Sequence, residues 1–325
     1  MKTRFRVTAL LVLALLLLQI AVGRAQPALS APGDVVADVV TTDGAYANNS
    51  VAFDGRYLYF ADLNGTVLHR IDMPAAGGQT GPVNQVNFPI TGVTSGGINT
   101  FAYDAGRDAF WTAGSDGLSI YLMSKTGAAA LRFRIDPLND RPGDCKRLGG
   151  CLAEINGLAY DRSDDTLWYN ADATERIYHY QTYADTLGTA VLVGSNPYLD
   201  IDVAPNDMYA QCGWNSSSGI AVGGSHLFLG SSGCSYYFEY TKTGTKVATY
   251  PYAFSSAQDF ECDNLTYGAS VIWMRDAWDW HIRAFEQPAA DACLMGGGAA
   301  PVPTPTPLLP PLPLPVTPPA GPRFP

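Results

Sequence analysis

Five oxygen-bearing side chains recur at one place in a repeated phrase: Asn49, Asn99, Asn156, Ser218 and Asp263. Each opens a short run of alternating apolar residues with a small residue near its centre, as in Asn156-Gly-Leu-Ala-Tyr-Asp161. Brought together around one axis, such oxygens can hold a hard cation such as calcium, or the hydroxyls of a sugar. Three acids, Glu154, Asp259 and Glu261, lie just before two of the copies and would add charge there. Glu154 or Glu261 is the candidate third ligand or general base in a catalytic reading. Asn and Asp also hydrogen-bond the amides of turns that enter a strand, so both readings stand at this point.

Other chemistry-bearing patterns are sparser. His69, His179, His226 and His281 form no His-x-His or His-Glu-x-x-His pattern. Gly230-Ser-Ser-Gly233 runs from a strand into a turn, not into a helix as a nucleophile elbow requires. The run Arg275-Asp-Ala-Trp-Asp-Trp280 puts Trp278 and Trp280 on a predicted turn, where exposed indoles bind sugars or partner proteins, or else cover the packing beneath.

The elements that position these residues are short strands. The opening phrase is strand one of each repeat. An aromatic phrase follows as strand two, with Tyr59, Trp111, Trp168, Phe228 and Trp273 in equivalent places. Their recurrence predicts packing between neighbouring units. Strand three is expected at Thr66–Asp72, Leu118–Ser124, Arg176–Thr182, Tyr236–Thr241 and His281–Glu286. Strand four is expected at Val83–Ile90, Ala129–Ile135, Thr189–Val193 and Lys246–Tyr250. Turn signals such as Asn64-Gly65, Lys125-Thr-Gly127 and Lys242-Thr-Gly244 separate them. Four-stranded units at this period predict an all-β fold, a β-propeller. The small central residues at Ala52, Ala102, Ala159, Ala221 and Thr266 give five blades, with six as the alternative if a degenerate blade hides in an insert. The fifth repeat lacks its own fourth strand. Residues 34–40, before the first repeat, are therefore expected to complete it and close the ring, which leaves no open sheet edge between first and last blades.

The chain divides into three parts. Residues 1–25 read as a cleaved secretory signal: basic residues, an apolar run over 9–22, then Gly-Arg-Ala25. Residues 32–295 hold the propeller. Residues 296–325 form a Pro-rich tail that favours extended polyproline II and is expected to be disordered. Removing Lys2, Arg4, Arg6 and Arg24 from 20 basic residues leaves 16 against 30 acids, a net charge near −14. Such a surface repels nucleic acid and anionic membranes. With an exported chain, the six cysteines predict disulfides. Cys145 and Cys151 close a small loop, Cys262 and Cys293 bracket the last repeat, and Cys212 pairs with Cys234 across the fourth.

Ile155-Asn-Gly-Leu-Ala-Tyr-Asp161 through Leu167-Trp-Tyr-Asn-Ala-Asp172 resembles a blade of the gluconolactonase-type and NHL-repeat propellers. In the lactonases of that group, channel-mouth Glu, Asn and Asp side chains hold a divalent cation that polarises the substrate carbonyl. The resemblance implies Asn156 and Asp263 as metal ligands and calcium as cofactor, with Asn49 where the family has glutamate.

Two functions follow as expectations. One is a secreted, periplasmic or surface-displayed monomer that binds a small molecule, carbohydrate or protein at a polar channel mouth, with Asn49, Asn99, Asn156, Ser218, Asp263, Trp278 and Trp280 as contacts. The alternative is a calcium-dependent lactonase- or esterase-like hydrolase acting at the central channel. Neither includes a membrane-spanning domain.

Overall fold

The computed structural model describes residues 31–41, 48–135, 156–171, 175–183, 187–194, 197–254, 256–287 and 293. Glu154, Cys145 and Cys151 lie outside these residues, as do the expected signal and tail.

The described chain forms five four-stranded antiparallel sheets. After β1 (Val35–Val40), blade one holds β2 (Asn48–Phe53), β3 (Tyr57–Asp62), β4 (Val67–Asp72) and β5 (Val86–Pro89). Blade two holds β6 (Ile98–Asp104), β7 (Ala109–Gly114), β8 (Ser119–Ser124) and β9 (Ala129–Arg134). Blade three holds β10 (Asn156–Asp161), β11 (Thr166–Ala171), β12 (Arg176–Gln181) and β13 (Tyr198–Asp200). A single helical turn, α1 (Tyr209–Cys212), precedes blade four: β14 (Ile220–Gly223), β15 (His226–Gly230), β16 (Tyr236–Thr241) and β17 (Lys246–Pro251). Blade five is β18 (Ala257–Asp263), β19 (Val271–Asp276) and β20 (His281–Glu286), with β1 as its outermost strand. The strands β2, β6, β10, β14 and β18 meet in order around a closed inner ring. The expected five-bladed propeller and its closure by the N-terminal strand are both present; Val39 lies opposite Ile282 in that closing pair.

Each junction between blades is an apolar core. Tyr59 packs with Phe101 and Phe110 of the next blade, and Trp111 with Leu158 and Tyr169. Trp168 packs with Ile220, Phe228 with Phe260, and Trp273 with Val51 and Phe60. All five aromatics of strand two are buried, so the packing role expected for them holds. Burying a side chain of this size stabilises by about 1.5–3 kcal/mol, which makes these residues the main glue between blades.

One expected strand is misplaced. Blade three completes itself with β13 at Tyr198–Asp200, not at Thr189–Val193, although Leu192 still bridges Tyr180. The edge strand is broken in two around Pro197, whose carbonyl accepts the His179 amide. Proline cannot donate to a ladder, and this interrupts the pairing. Two of the expected disulfides are formed, Cys212–Cys234 and Cys262–Cys293.

The fifth phrase also differs from the expected register. Across the first two strands Ala52 faces Tyr59, Ala102 faces Trp111, Ala159 faces Trp168 and Ala221 faces Phe228. In blade five the residue facing Trp273 is Glu261, not Thr266. The fifth copy therefore reads Gln258-Asp-Phe-Glu-Cys-Asp263, and Gln258 takes the opening place assigned to Asp263. The stretch 264–270, whose Leu265 is exposed, is a long turn between β18 and β19 that imitates the phrase.

Candidate functional site

With the register corrected, the inner strands carry two layers of equivalent positions. The first consists of Ser50, Thr100, Gly157, Gly219 and Asp259; the second of Ala52, Ala102, Ala159, Ala221 and Glu261. Four small residues and one acid make each layer, and both acids come from blade five. The small residues are required by space. A Cβ on Gly219 would stand 2.9–3.0 Å from the Gln258 and Asp259 backbone, and one on Gly157 would stand 2.7 Å from the Ser218 carbonyl.

The two acids tie blade five to blades one and two. Asp259 Oδ2 accepts the Val51 amide of blade one at 3.1 Å, and Glu261 Oε2 accepts the Tyr103 amide of blade two at 3.3 Å. Asp259 is wholly buried. Burial holds its pKa well above the usual carboxylate range and Glu261 adds to this, against the Val51 and Phe260 amides and the Thr100 hydroxyl. Glu261 is partly buried. Burial pushes its pKa up to about 8; the Tyr103, Cys262 and Phe53 amides oppose the rise, and Asp263 reinforces it. Beside them the buried Arg275 guanidinium donates to the Ser50 and Ala61 carbonyls and to Asp62 Oδ1, 4.8 Å above the Phe60 ring. Burial lowers its pKa to about 10 although Asp62 and Asp259 stand close. The centre thus holds two carboxyls whose burial disfavours their charged forms, near one buried cation.

Two of the expected mouth residues are engaged between blades. Asn99 Oδ1 accepts the Asn64 amide of the neighbouring blade, and the Ser218 hydroxyl donates to the Ala257 carbonyl of blade five. Both are buried and serve as links between blades. Asn49 and Asn156 occupy the opening ends of β2 and β10; their side chains are outside the described residues.

Asp263 sits at the opposite end of its strand, beside the counterparts Asp54, Asp104 and Asp161. Each of these acids staples its own blade. Asp263 accepts the Trp273 indole at 3.1 Å, Asp104 that of Trp111 at 3.0 Å and Asp161 that of Trp168 at 3.3 Å, while Asp54 accepts the Tyr59 hydroxyl at 3.1 Å. The second oxygen takes turn amides, those of Leu265 and Thr266 in blade five. Blade four has Gly223 in place of the acid and Phe228, without a donor, in place of Trp or Tyr. Acid and donor are present or absent together. That pairing was readable in the sequence and would have set the fifth register.

Of the expected calcium ligands, Asp263 stands at the far end of its strand, bonded to Trp273, and the Asn156 side chain lies outside the described residues. Among the described residues no three His, Cys, Asp or Glu side chains gather as a metal site.

Trp278 and Trp280 lie on the β19–β20 turn, at the end of the ring where the inner strands begin, because Asp276 pairs with Ala257. Their side chains are exposed, Trp278 by 61% and Trp280 by 41%. The backbone that carries them is pinned. The Trp278 amide donates to Asp276 Oδ1 at 2.9 Å, and the His281 amide to Asp279 Oδ1 at 3.0 Å. The Trp280 carbonyl accepts both the amide and the hydroxyl of Thr41, each at 2.8 Å. Trp280 has φ +60°, a left-handed conformation that favours Gly or Asn over a bulky residue.

No protein-family model and no curated relative matches the sequence. Solved structures do. A luciferin-regenerating enzyme is 11% identical with TM-score 0.45, over 78% of this chain and 97% of that one. A gluconolactonase from Xanthomonas campestris is 14% identical with TM-score 0.44, over 81% and 99%. The calcium-binding protein regucalcin from Agrobacterium tumefaciens is 9% identical with TM-score 0.42, over 78% and 98%. The resemblance is one of fold. Gluconolactonase-type propellers, read from the blade phrase, are thus among the structural neighbours.

Proposed function

We propose that the protein is a secreted binding module that holds neutral carbohydrate on the Trp278–Trp280 turn. The observation that carries this reading is the pinned turn itself. Two indoles are held out to solvent, and one occupies a backbone conformation that costs a tryptophan about 1–2 kcal/mol. Strain at an exposed aromatic is what a contact surface retains and a packing role does not need. The flat faces of indoles stack on sugar rings, and an acidic chain repels anionic ligands. Two disulfides among the described residues accord with an oxidising compartment. No helix among the described residues is long and apolar enough to cross a membrane. The test is intrinsic fluorescence of the full chain titrated with a panel of neutral oligosaccharides. Saturable change that disappears in W278A and in W280A is expected; no response to any member overturns the carbohydrate reading.

The calcium-dependent hydrolase is the second reading. Its one supporting observation in the structure is Glu261, a partly buried carboxyl on the inner strand of blade five whose pKa is pushed up to about 8. Lactone or ester turnover that needs Glu261 would favour it.

A further inference from the structure

We infer that the chain's own Pro-rich segment, residues 301–325, docks on the Trp278–Trp280 turn and shields it. This rests on the reading of that turn as the contact surface and names the occupant it meets first. Twelve of these 25 residues are proline, and Arg323 is the one charged residue among them, a composition that favours polyproline II and carries little charge. Proline rings of polyproline II segments pack on exposed aromatic side chains, and a composition that favours this form loses little freedom on recognition.

Position favours the cis segment over a partner from outside. Cys293 is buried and bonded to Cys262 on β18, the inner strand of the blade whose β19–β20 turn carries the tryptophans. That anchor and the turn lie toward opposite ends of the blade, one strand length or about 20 Å apart. Residues 294–325 in polyproline II reach about 100 Å, several times what is needed. A tether of that reach holds its end at an effective concentration near the millimolar range, so even weak ring-on-ring contacts suffice. Trp214 extends the surface from blade four. It is exposed at the same end of the ring, its indole donating to Ser231 at 3.0 Å. A segment leaving blade five thus meets up to three indoles.

The experiment compares acrylamide quenching of tryptophan fluorescence in the full chain and in a chain of equal length with residues 301–325 replaced by Gly and Ser. Trp111, Trp168 and Trp273 are buried, so quenching reports Trp214, Trp278 and Trp280. The expected result is quenching about twofold weaker in the natural chain, with the difference abolished by W278A/W280A. A synthetic peptide of residues 301–325 should restore protection to the Gly–Ser chain. Equal quenching in the two chains, with no effect of the peptide, overturns the inference. So does protection that fades on hundredfold dilution of the protein, which marks the tail of a second copy. Oligosaccharide binding by the Gly–Ser chain is measured separately, and its failure counts against the carbohydrate reading alone.

Discussion

Glu261 of the last blade accepts a hydrogen bond from the backbone amide of Tyr103 in blade two, 158 residues away in the chain. This contact crosses the ring, so a charge change at Glu261 acts on closure itself. Its pKa is raised from 4.5 to about 8, chiefly by burial. The folded state therefore keeps a proton that the unfolded state releases. Stability from this group is full below pH 4.5 and is lost as pH rises through 8, by at most about 1.4 kcal/mol per pH unit. Urea unfolding across pH 5–8 should show that decline in the natural chain and a flatter profile in Glu261→Gln. Parallel profiles would mean the group is not held protonated.

The Asp263–Trp273 bond predicts a structural role for an acid that the phrase placed at the mouth. Asp263→Ala leaves the buried indole N–H unpaired and should cost about 1–3 kcal/mol. Combined with Trp273→Phe, the two losses should be less than additive, as a double-mutant cycle in denaturant would show. Added calcium should stabilise wild type and Asp263→Ala equally; stabilisation of wild type alone would restore Asp263 as a ligand.

Lys242 of the fourth blade pairs with Asp161 of the third, and Lys125 of the second with Asp54 of the first. Burial raises the Asp161 pKa, but hydrogen bonds from Lys242 and Ser163 more than offset it and leave the carboxyl below its ordinary 3.8. Asp161 then contributes stability that is present above pH 3.8 and lost as pH falls through the depressed value. Lys242→Met should weaken the protein by about 1–3 kcal/mol at pH 7, with the deficit shrinking below pH 4. Urea midpoints at pH 3 and pH 7 measure this, and an equal deficit at both would contradict it.

These cases show what the sequence exposed and what it hid. The ring, its closure by residues 34–40 and the packing of Tyr59, Trp111, Trp168, Phe228 and Trp273 were legible because every blade repeats them. The axial acids were legible as added charge but not in their place along the inner strand. Asp259 and Glu261 replace small residues in one copy only, and the turn after Asp263 carries apolar spacing like that of a strand. Periodicity cannot choose between two such frames. The side-chain pairing of Asp263 with Trp273 can, since it obeys the same rule as Asp104 with Trp111. Asn99 and Ser218 were read as free mouth oxygens because a single strand shows nothing of the neighbouring blade that uses them.

Trp280 offers a test of strain. Trp280→Gly removes the left-handed penalty of about 1–2 kcal/mol and a side chain that is 41% exposed. Thermal unfolding should show unchanged or raised stability, while oligosaccharide binding is lost. A large destabilisation would assign Trp280 to packing.

Binding without turnover is what we propose for this chain. The most direct measurement sets two assays side by side on the full chain: oligosaccharide titration, and hydrolysis of a lactone and an ester panel with calcium present. Saturable binding abolished by W278A, with hydrolysis at the buffer rate, is the predicted result. Hydrolysis above that rate, abolished by Glu261→Gln or Asn156→Ala and unaffected by W278A, would contradict it.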